Sequence, residues 1–352
     1  MAGPAVHGGA RVYIRTPSRR AYLARVIGPV ADRLAADPAA QRVRVVTGWR
    51  FGPHFDLCAD ADSERPIDWH PLGRALAEGA IRHPAAGGPE EREPNYLRRA
   101  TLLGQIEGVP PPYLPRRPHG AVDLLPMAVG DRVDVLRAAG LSLLRAPLVE
   151  AAATVHDGAL LARVAEAFLA LAASHPYGIR FGTFSLRSHA EAFLHWAAPD
   201  ADYRALFEER LGKDRAVLES LVRRMRDGVA GEPTARWADA FHNCQAEFTG
   251  QVTNDDLDAL APPTAGPPRR DDGPSPFHAA INASGVIDDP PAWFAGYRLT
   301  INLFYQLLPA LDVSPLQRFY LCHAIAETVD AVFGETWQAR LAAVQAHMAS
   351  VP

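Results

Sequence analysis

The chain has 352 residues, 36 basic and 40 acidic side chains, a formal net charge of −4, 48% hydrophobic residues and a mean hydropathy of −0.09. That balance excludes global disorder and suits one large or two ordinary domains with a sizeable core. No apolar run is long enough to span a bilayer, and the N-terminus lacks a basic start followed by an apolar stretch, so a cytoplasmic protein is expected. Lys213 is the only lysine; 35 of the 36 basic residues are arginine, a bias that weakens any reading of arginine clusters as nucleic-acid sites. Cys58, Cys244 and Cys322 are widely separated, so neither a disulfide framework nor a metal centre is expected, and no cofactor is implied.

In chain order, Arg11–Arg15 reads as a strand. Arg19–Ala36 reads as a helix through Leu23, Ile27, Val30 and Leu34. Arg42–Thr47 alternates basic and β-branched residues, and His54–Ala59 is expected to pair with it across a turn at Gly52-Pro53. A helix over Pro71–Ile81 ends in a polar loop, and Tyr96–Glu107 fits strand or helix. Six prolines between Pro110 and Pro126 then mark a break. Beyond it, Asp131–Ala139, Leu160–Ala173, His189–Ala197, Tyr203–Asp227, Trp237–Thr249, Trp293–Leu308 and Pro315–Met348 carry helical apolar spacing. Residues 262–276 lack periodicity and are expected to form a mobile loop. The expected class is α+β: a single unit with a small strand–helix–strand part over 1–126 and a mainly helical part over 127–352.

Nucleotide loops, H-E-x-x-H and G-x-S-x-G are absent, which leaves four small constellations. Ser188 with Glu191 three residues on reads as a capping box, placing His189 in a first helical turn where the dipole favours the neutral imidazole. Such an imidazole could serve as base or donor, or simply face solvent. Ile281–Gly285 places Ser284 in a small polar segment, as a hydrogen-bond donor or as part of a loop turn. Tyr320, His323 and Glu327 share one face of a helix opened by a Ser314/Gln317 capping box. That stripe fits a proton-transfer array and a solvated face equally. His54 begins a strand at a hairpin-like corner. On the residues alone, a soluble α+β enzyme or binding protein follows, with the reaction open.

The same residues, in the same order, resemble the thiopeptide-type bacteriocin biosynthesis family, related to the elimination domain of lantibiotic dehydratases. The likeness lies in the Gly52-Pro53-His54 corner, the R-S-H-x-E segment Arg187–Glu191, Asn302-Leu-Phe-Tyr305, and the run Leu311, Ser314, Arg318-Phe-Tyr-Leu-Cys322 and Ala326. It covers essentially the whole chain and implies an elimination-domain-like fold. Two activities occur in the family: elimination of glutamate from glutamylated Ser or Thr, and a formal aza-[4+2] cycloaddition of two dehydroalanines that builds a pyridine. Elimination domains commonly carry an H-x-R-x-R strand, where this chain has His54-Phe-Asp-Leu-Cys58. They also carry a late histidine near the point where this chain has Asn302. The resemblance therefore implies a stand-alone pyridine synthase, with lyase and non-catalytic leader-binding protein as alternatives.

It further implies Tyr320 and Ser284 as hydrogen-bonding groups for the iminol and the leaving oxygen, His189 as base, and Ser188 and Arg187 shaping the same pocket. Tyr297, Asn302 and Tyr305 would line a thiazole wall, and His54 and His323 would contact substrate. The implied partner is a precursor peptide with leader and thiazole/dehydroalanine core, with no nucleic acid or membrane; other thiopeptide enzymes and a homodimer are compatible.

Overall fold

The computed structural model describes residues 6–16, 18–62, 64–83, 93–107, 109–153, 157–196, 202–253, 255–257, 273–288 and 290–350. Most of the loop expected over 262–276, and of the polar loop after Ile81, lies outside the described residues. The class is α+β as expected, with a four-stranded antiparallel sheet near the N-terminus and helices thereafter. The chain clusters into two compact units. The first takes residues 1–154, 251–266 and 299–313; the second takes 155–250, 267–298 and 314–352.

In the first unit the sheet order is β2-β3-β1-β4, from β1 (Val6–Tyr13), β2 (Ala40–Gly48), β3 (His54–Ala61) and β4 (Val122–Val129). The expected β2–β3 pairing forms, with Gly48 opposite His54 and the turn between them carrying Gly52 at φ 119°. A side chain at that φ would be strained, so glycine fits the corner. Strand β4 was not anticipated, because Pro126 argues against a strand. It is an edge strand, where a missing N–H costs no ladder bond.

One sheet face is apolar: Ala10, Val12, Val43, Val45, Phe55 and Leu57 are all buried. Helix α3 (Trp69–Ile81) packs on β1 and β4, and α5 (Arg132–Ala152) packs on β2. The opposite face is ionic. Asp56 takes a bidentate bond from Arg11 at 2.7 and 2.8 Å, and the fully buried Asp60 takes Arg44 at 2.7 Å and His7.

The helix expected over Arg19–Ala36 is three segments in register: α1 (Arg19–Tyr22), a π turn (Leu23–Ile27) and α2 (Gly28–Ala35). Pro29 has no N–H for the carbonyl four residues back, and the backbone widens there, with Gly28 N–H reaching Leu23 O. The undecided stretch is helix α4 (Glu93–Glu107). It buries Tyr96 and Ala100 against Tyr113 of the proline-rich segment, alongside Trp49 and Leu114.

The second unit is all helical: α6 (Asp157–Ala173), α7 (Ile179–Trp196), α8 (Tyr203–Arg226), α9 (Glu232–Phe248), α10 (Pro276–Ser284), α12 (Pro315–Phe333) and α13 (Trp337–Ser350). The first half of α11 (Ala292–Leu307) clusters with it, and residues 299–307 with the first unit. Helix α6 supplies the densest core, with Val164, Ala165, Phe168, Leu169, Leu171 and Ala172 buried. It packs on α7 and α9, while α12 packs on α7 and α8. The single helix expected over Pro315–Met348 is two, because Gly334 at φ 65° caps α12 in the left-handed conformation. The expected Ser314/Gln317 capping box is present, with both reciprocal bonds made. Among the described residues, no helix is long and apolar enough to cross a membrane.

Candidate functional site

Helix α7 begins ten residues earlier than its polar segment suggests, at Ile179 rather than His189. Ser188 is therefore mid-helix and caps nothing, and His189 is far from the helix N-terminus, so the dipole argument lapses. Gly182 lets α7 lie close against α6, since a methyl group there would overlap the Ala172 carbonyl oxygen. That approach fixes the height of the Arg187-Ser188-His189 turn.

His189 is half-buried and its Nδ1 lies 2.8 Å from Ser185 O. A carbonyl only accepts, so Nδ1 carries the proton and Nε2 the lone pair. Desolvation pulls this imidazole down to about 4, opposed by the Ser185 carbonyl and reinforced by the positive charges of Arg318 and Arg298 and by His278. At neutral pH it is an uncharged base with cations nearby.

Beside it, the Ser188 hydroxyl lies 3.0 Å from His278 Nε2, on α10. His278 Nδ1 in turn lies 2.7 Å from the Ser275 hydroxyl, which also caps α10 by accepting His278 N–H. His278 was missed at the level of sequence. Its only local signal is the S-P-x-H start of a short helix, and its partner Ser188 is 90 residues away.

Arg187 is 5% exposed and its guanidinium is spent inside the protein. It donates to Glu327 Oε1 at 2.5 Å and to Asp330 Oδ2 at 2.9 Å, and Asp330 also holds Arg340 and the first N–H of α13. The arginine thus ties α7 to α12, and through Asp330 to α13.

The Tyr320–His323–Glu327 stripe is not a solvated face. Tyr320 and His323 are buried against α8, the phenol donating to Asp214 Oδ2 at 2.7 Å and the imidazole Nε2 lying 3.0 Å from Glu208 Oε1. Burial first, then the neighbouring Asp214 carboxylate, raises the Tyr320 pKa, so the phenol holds its proton. Burial lowers the His323 pKa against the pull of Glu327 and Glu208. These acids stand more than 100 residues from their partners, beyond any spacing rule.

Ser284 ends α10, and Gly285 at φ 69° is its left-handed cap. The hydroxyl donates to Ile281 O at 2.6 Å and accepts from Val286 N at 3.2 Å. Tyr297 is 1% exposed, its ring edge-on to His175 at 5.0 Å, with Leu171 O and Gly182 O each 3.4 Å from its hydroxyl. The aromatic surface with solvent access in that neighbourhood belongs instead to Tyr177, Phe181 and Trp293.

His54, Asn302 and Tyr305 belong to the first unit. His54 is buried, with Nδ1 2.9 Å from Gly52 O and its ring edge-on to Tyr13 at 5.4 Å. Desolvation lowers it to about 4. Tyr305 is buried next to Phe304, and Asn302 is half-buried.

No protein-family model matches the chain, and no curated protein matches its sequence significantly. Solved structures do match. The pyridine synthase TbtD, from thiomuracin biosynthesis, superposes with a TM-score of 0.69 over 93% of this chain and 99% of its own, at 22% identity. The fold is that of a pyridine synthase. TsrL is also similar, with a TM-score of 0.60 over 95% of this chain and 97% of its own, at 17% identity. The family resemblance drawn from short motifs and the fold found by superposition thus agree over essentially the whole length.

Proposed function

We propose that the chain is a thiopeptide pyridine synthase, acting on a leader-bearing precursor peptide with thiazoles and two dehydroalanines. The observation that supports this most is the end-to-end likeness to TbtD, which leaves neither chain with a large unmatched part. A second feature weighs against glutamate elimination. Strand β3 carries Asp56 where elimination domains hold arginines, and Arg11 already occupies that acid.

The reaction sets three tasks. A backbone amide must become an iminol to serve as azadiene. Two alkenes of one peptide must be held within reach, where positioning supplies about 7–11 kcal/mol. After two C–C bonds close the ring, the iminol oxygen leaves as water and the leader leaves as its carboxamide. In this reading His189 Nε2 takes a ring proton during aromatisation, because the imidazole is neutral and its other nitrogen is fixed on Ser185 O. Tyr320 donates to the substrate oxygen, its proton conserved by Asp214 until substrate competes for it. Ser284 donates after turning from Ile281 O. Arg187 holds the helix that carries Ser188 and His189, and does so from inside the protein.

The test is mass spectrometry of the purified protein with a leader-bearing bis-dehydroalanine, thiazole-containing peptide. Release of leader carboxamide with a pyridine-absorbing macrocycle supports the reading, and Tyr320→Phe should lower the yield at least tenfold. Unchanged peptide that still binds would point to a leader-binding protein. New unsaturation from a glutamylated peptide, without ring formation, would point to a lyase.

A further inference from the structure

The chain Ser275–His278–Ser188 has a direction. Ser275 is fully buried, and among the described residues the only polar contacts of its hydroxyl are His278 N–H and His278 Nδ1. The N–H is a donor and must be accepted by Ser275 Oγ. The Ser275 O–H then has one acceptor within reach, the Nδ1 lone pair. Leaving that buried O–H unmatched would forfeit its hydration with nothing in return. Nδ1 is therefore unprotonated, and the proton of the neutral imidazole sits on Nε2. Nε2–H points at Ser188 Oγ, 3.0 Å away, and the serine accepts. The Ser188 proton is left over: among the described residues it donates to no protein acceptor. Ser188 is half-buried, on the turn that also presents His189.

His278 stays neutral in this arrangement. Desolvation lowers its pKa, with Glu191 opposing and His195 adding to the shift. His195 Nε2 is itself engaged with Gly273 O at 3.0 Å. A neutral, singly oriented imidazole behind a serine is a rigid support, because neither bond can be made with the ring flipped or the proton moved without stranding the buried Ser275 hydroxyl.

We propose that Ser188 is an oriented hydrogen-bond donor for a carbonyl or iminol oxygen of the bound peptide, and that His278, locked by Ser275, is the positioning residue that keeps it so. The proposal rests on the pyridine synthase reading for the identity of that oxygen, and on the hydrogen-bond chain alone for the donor. A preorganised donor of this kind acts on the oxygen whose basicity rises as the amide tautomerises, and it spends no reorganisation at that moment. The cations Arg298 and Arg318, which act on the neighbouring His189, bias the same surroundings toward partial negative charge.

Two measurements test it. In long-range ¹H–¹⁵N correlation spectra of the full chain at pH 7, His278 should show the Nε2–H tautomer, and Ser275→Ala should shift it toward a mixture. An Nδ1–H tautomer in the unmodified chain would overturn the arrangement, whether or not the protein turns over. In the conversion assay, Ser188→Ala should lower kcat about 100-fold with KM nearly unchanged. His278→Phe should lower it at least tenfold, and His278→Gln, whose amide restores an N–H at the Nε2 position, should recover most of that loss. Ser188→Ala with His278→Phe should be no slower than Ser188→Ala alone, since His278 acts through the serine. Full activity of Ser188→Ala, or multiplying losses in the double variant, would sink the proposal while wild-type conversion left the pyridine synthase reading standing.

Discussion

His54 offers a quantitative test of how the first unit responds to acid. The ring is 4% exposed, donates through Nδ1 to Gly52 O and meets Tyr13 edge-on. Its pKa falls from 6.5 to about 4, chiefly through desolvation, with Asp56 pulling the other way. The folded value lies below the unfolded one, so the unfolded chain binds more protons between them. The stabilisation is complete above about pH 6.5 and is lost as pH falls toward 4. At pH 5.5 the unfolded imidazole is about nine-tenths protonated and the native one about one-thirtieth. Integrating from pH 7 to 5.5 gives a loss of about 1.2 kcal/mol from this residue alone. His54→Asn keeps an N–H for the Gly52 carbonyl and removes the titration. Urea midpoints at both pH values, followed by hydrogen exchange in β2 and β3, give stability for each protein. His175 and His189, whose pKa values are also about 4, contribute equally to both proteins and cancel in the difference. The wild-type advantage over His54→Asn should shrink by about 1.2 kcal/mol between pH 7 and 5.5. An advantage that is the same at both values would refute the account of His54 as a neutral, desolvated imidazole.

Three further outcomes follow from the second unit. Gly182→Ala should cost about 3 kcal/mol, the upper end for overpacking, because the added methyl meets the rigid Ala172 carbonyl rather than a side chain that can turn; a fall in thermal midpoint with normal β-sheet signals would show it. Arg187→Met should destabilise by about 3 kcal/mol, the low end for breaking a buried pair since Asp330 keeps Arg340, while Glu327→Gln, at a partly exposed carboxylate, should cost under about 1 kcal/mol in chemical denaturation.

Parts of this protein follow from short stretches of sequence. The alternation in Arg42–Thr47 and the Gly52-Pro53 corner specify the β2–β3 pairing, because a two-residue period and a positive-φ glycine act within a few residues. The Ser314/Gln317 box specifies the start of α12 for the same reason. The order of the family's short motifs was enough to anticipate the pyridine synthase fold.

The tertiary structure decided the rest. Pro126 reads as a break and is nonetheless in a strand, because only the sheet's order reveals an edge where the lost N–H is harmless. Ser188 looks like a helix cap by its spacing to Glu191. The helix instead runs through it from Ile179, burying Leu186 and Ala190 on one side and leaving the hydroxyl for His278. Tyr320 and His323 share a face by periodicity, yet periodicity carries no information about what that face meets. Asp214 and Glu208 of α8 turn it from a solvated stripe into a buried polar seam. Capping and amphipathic period are properties of neighbours along the chain. A hydrogen-bond partner, a desolvated imidazole or a tautomer locked by a buried hydroxyl depends on segments that only the packed fold brings within 3 Å.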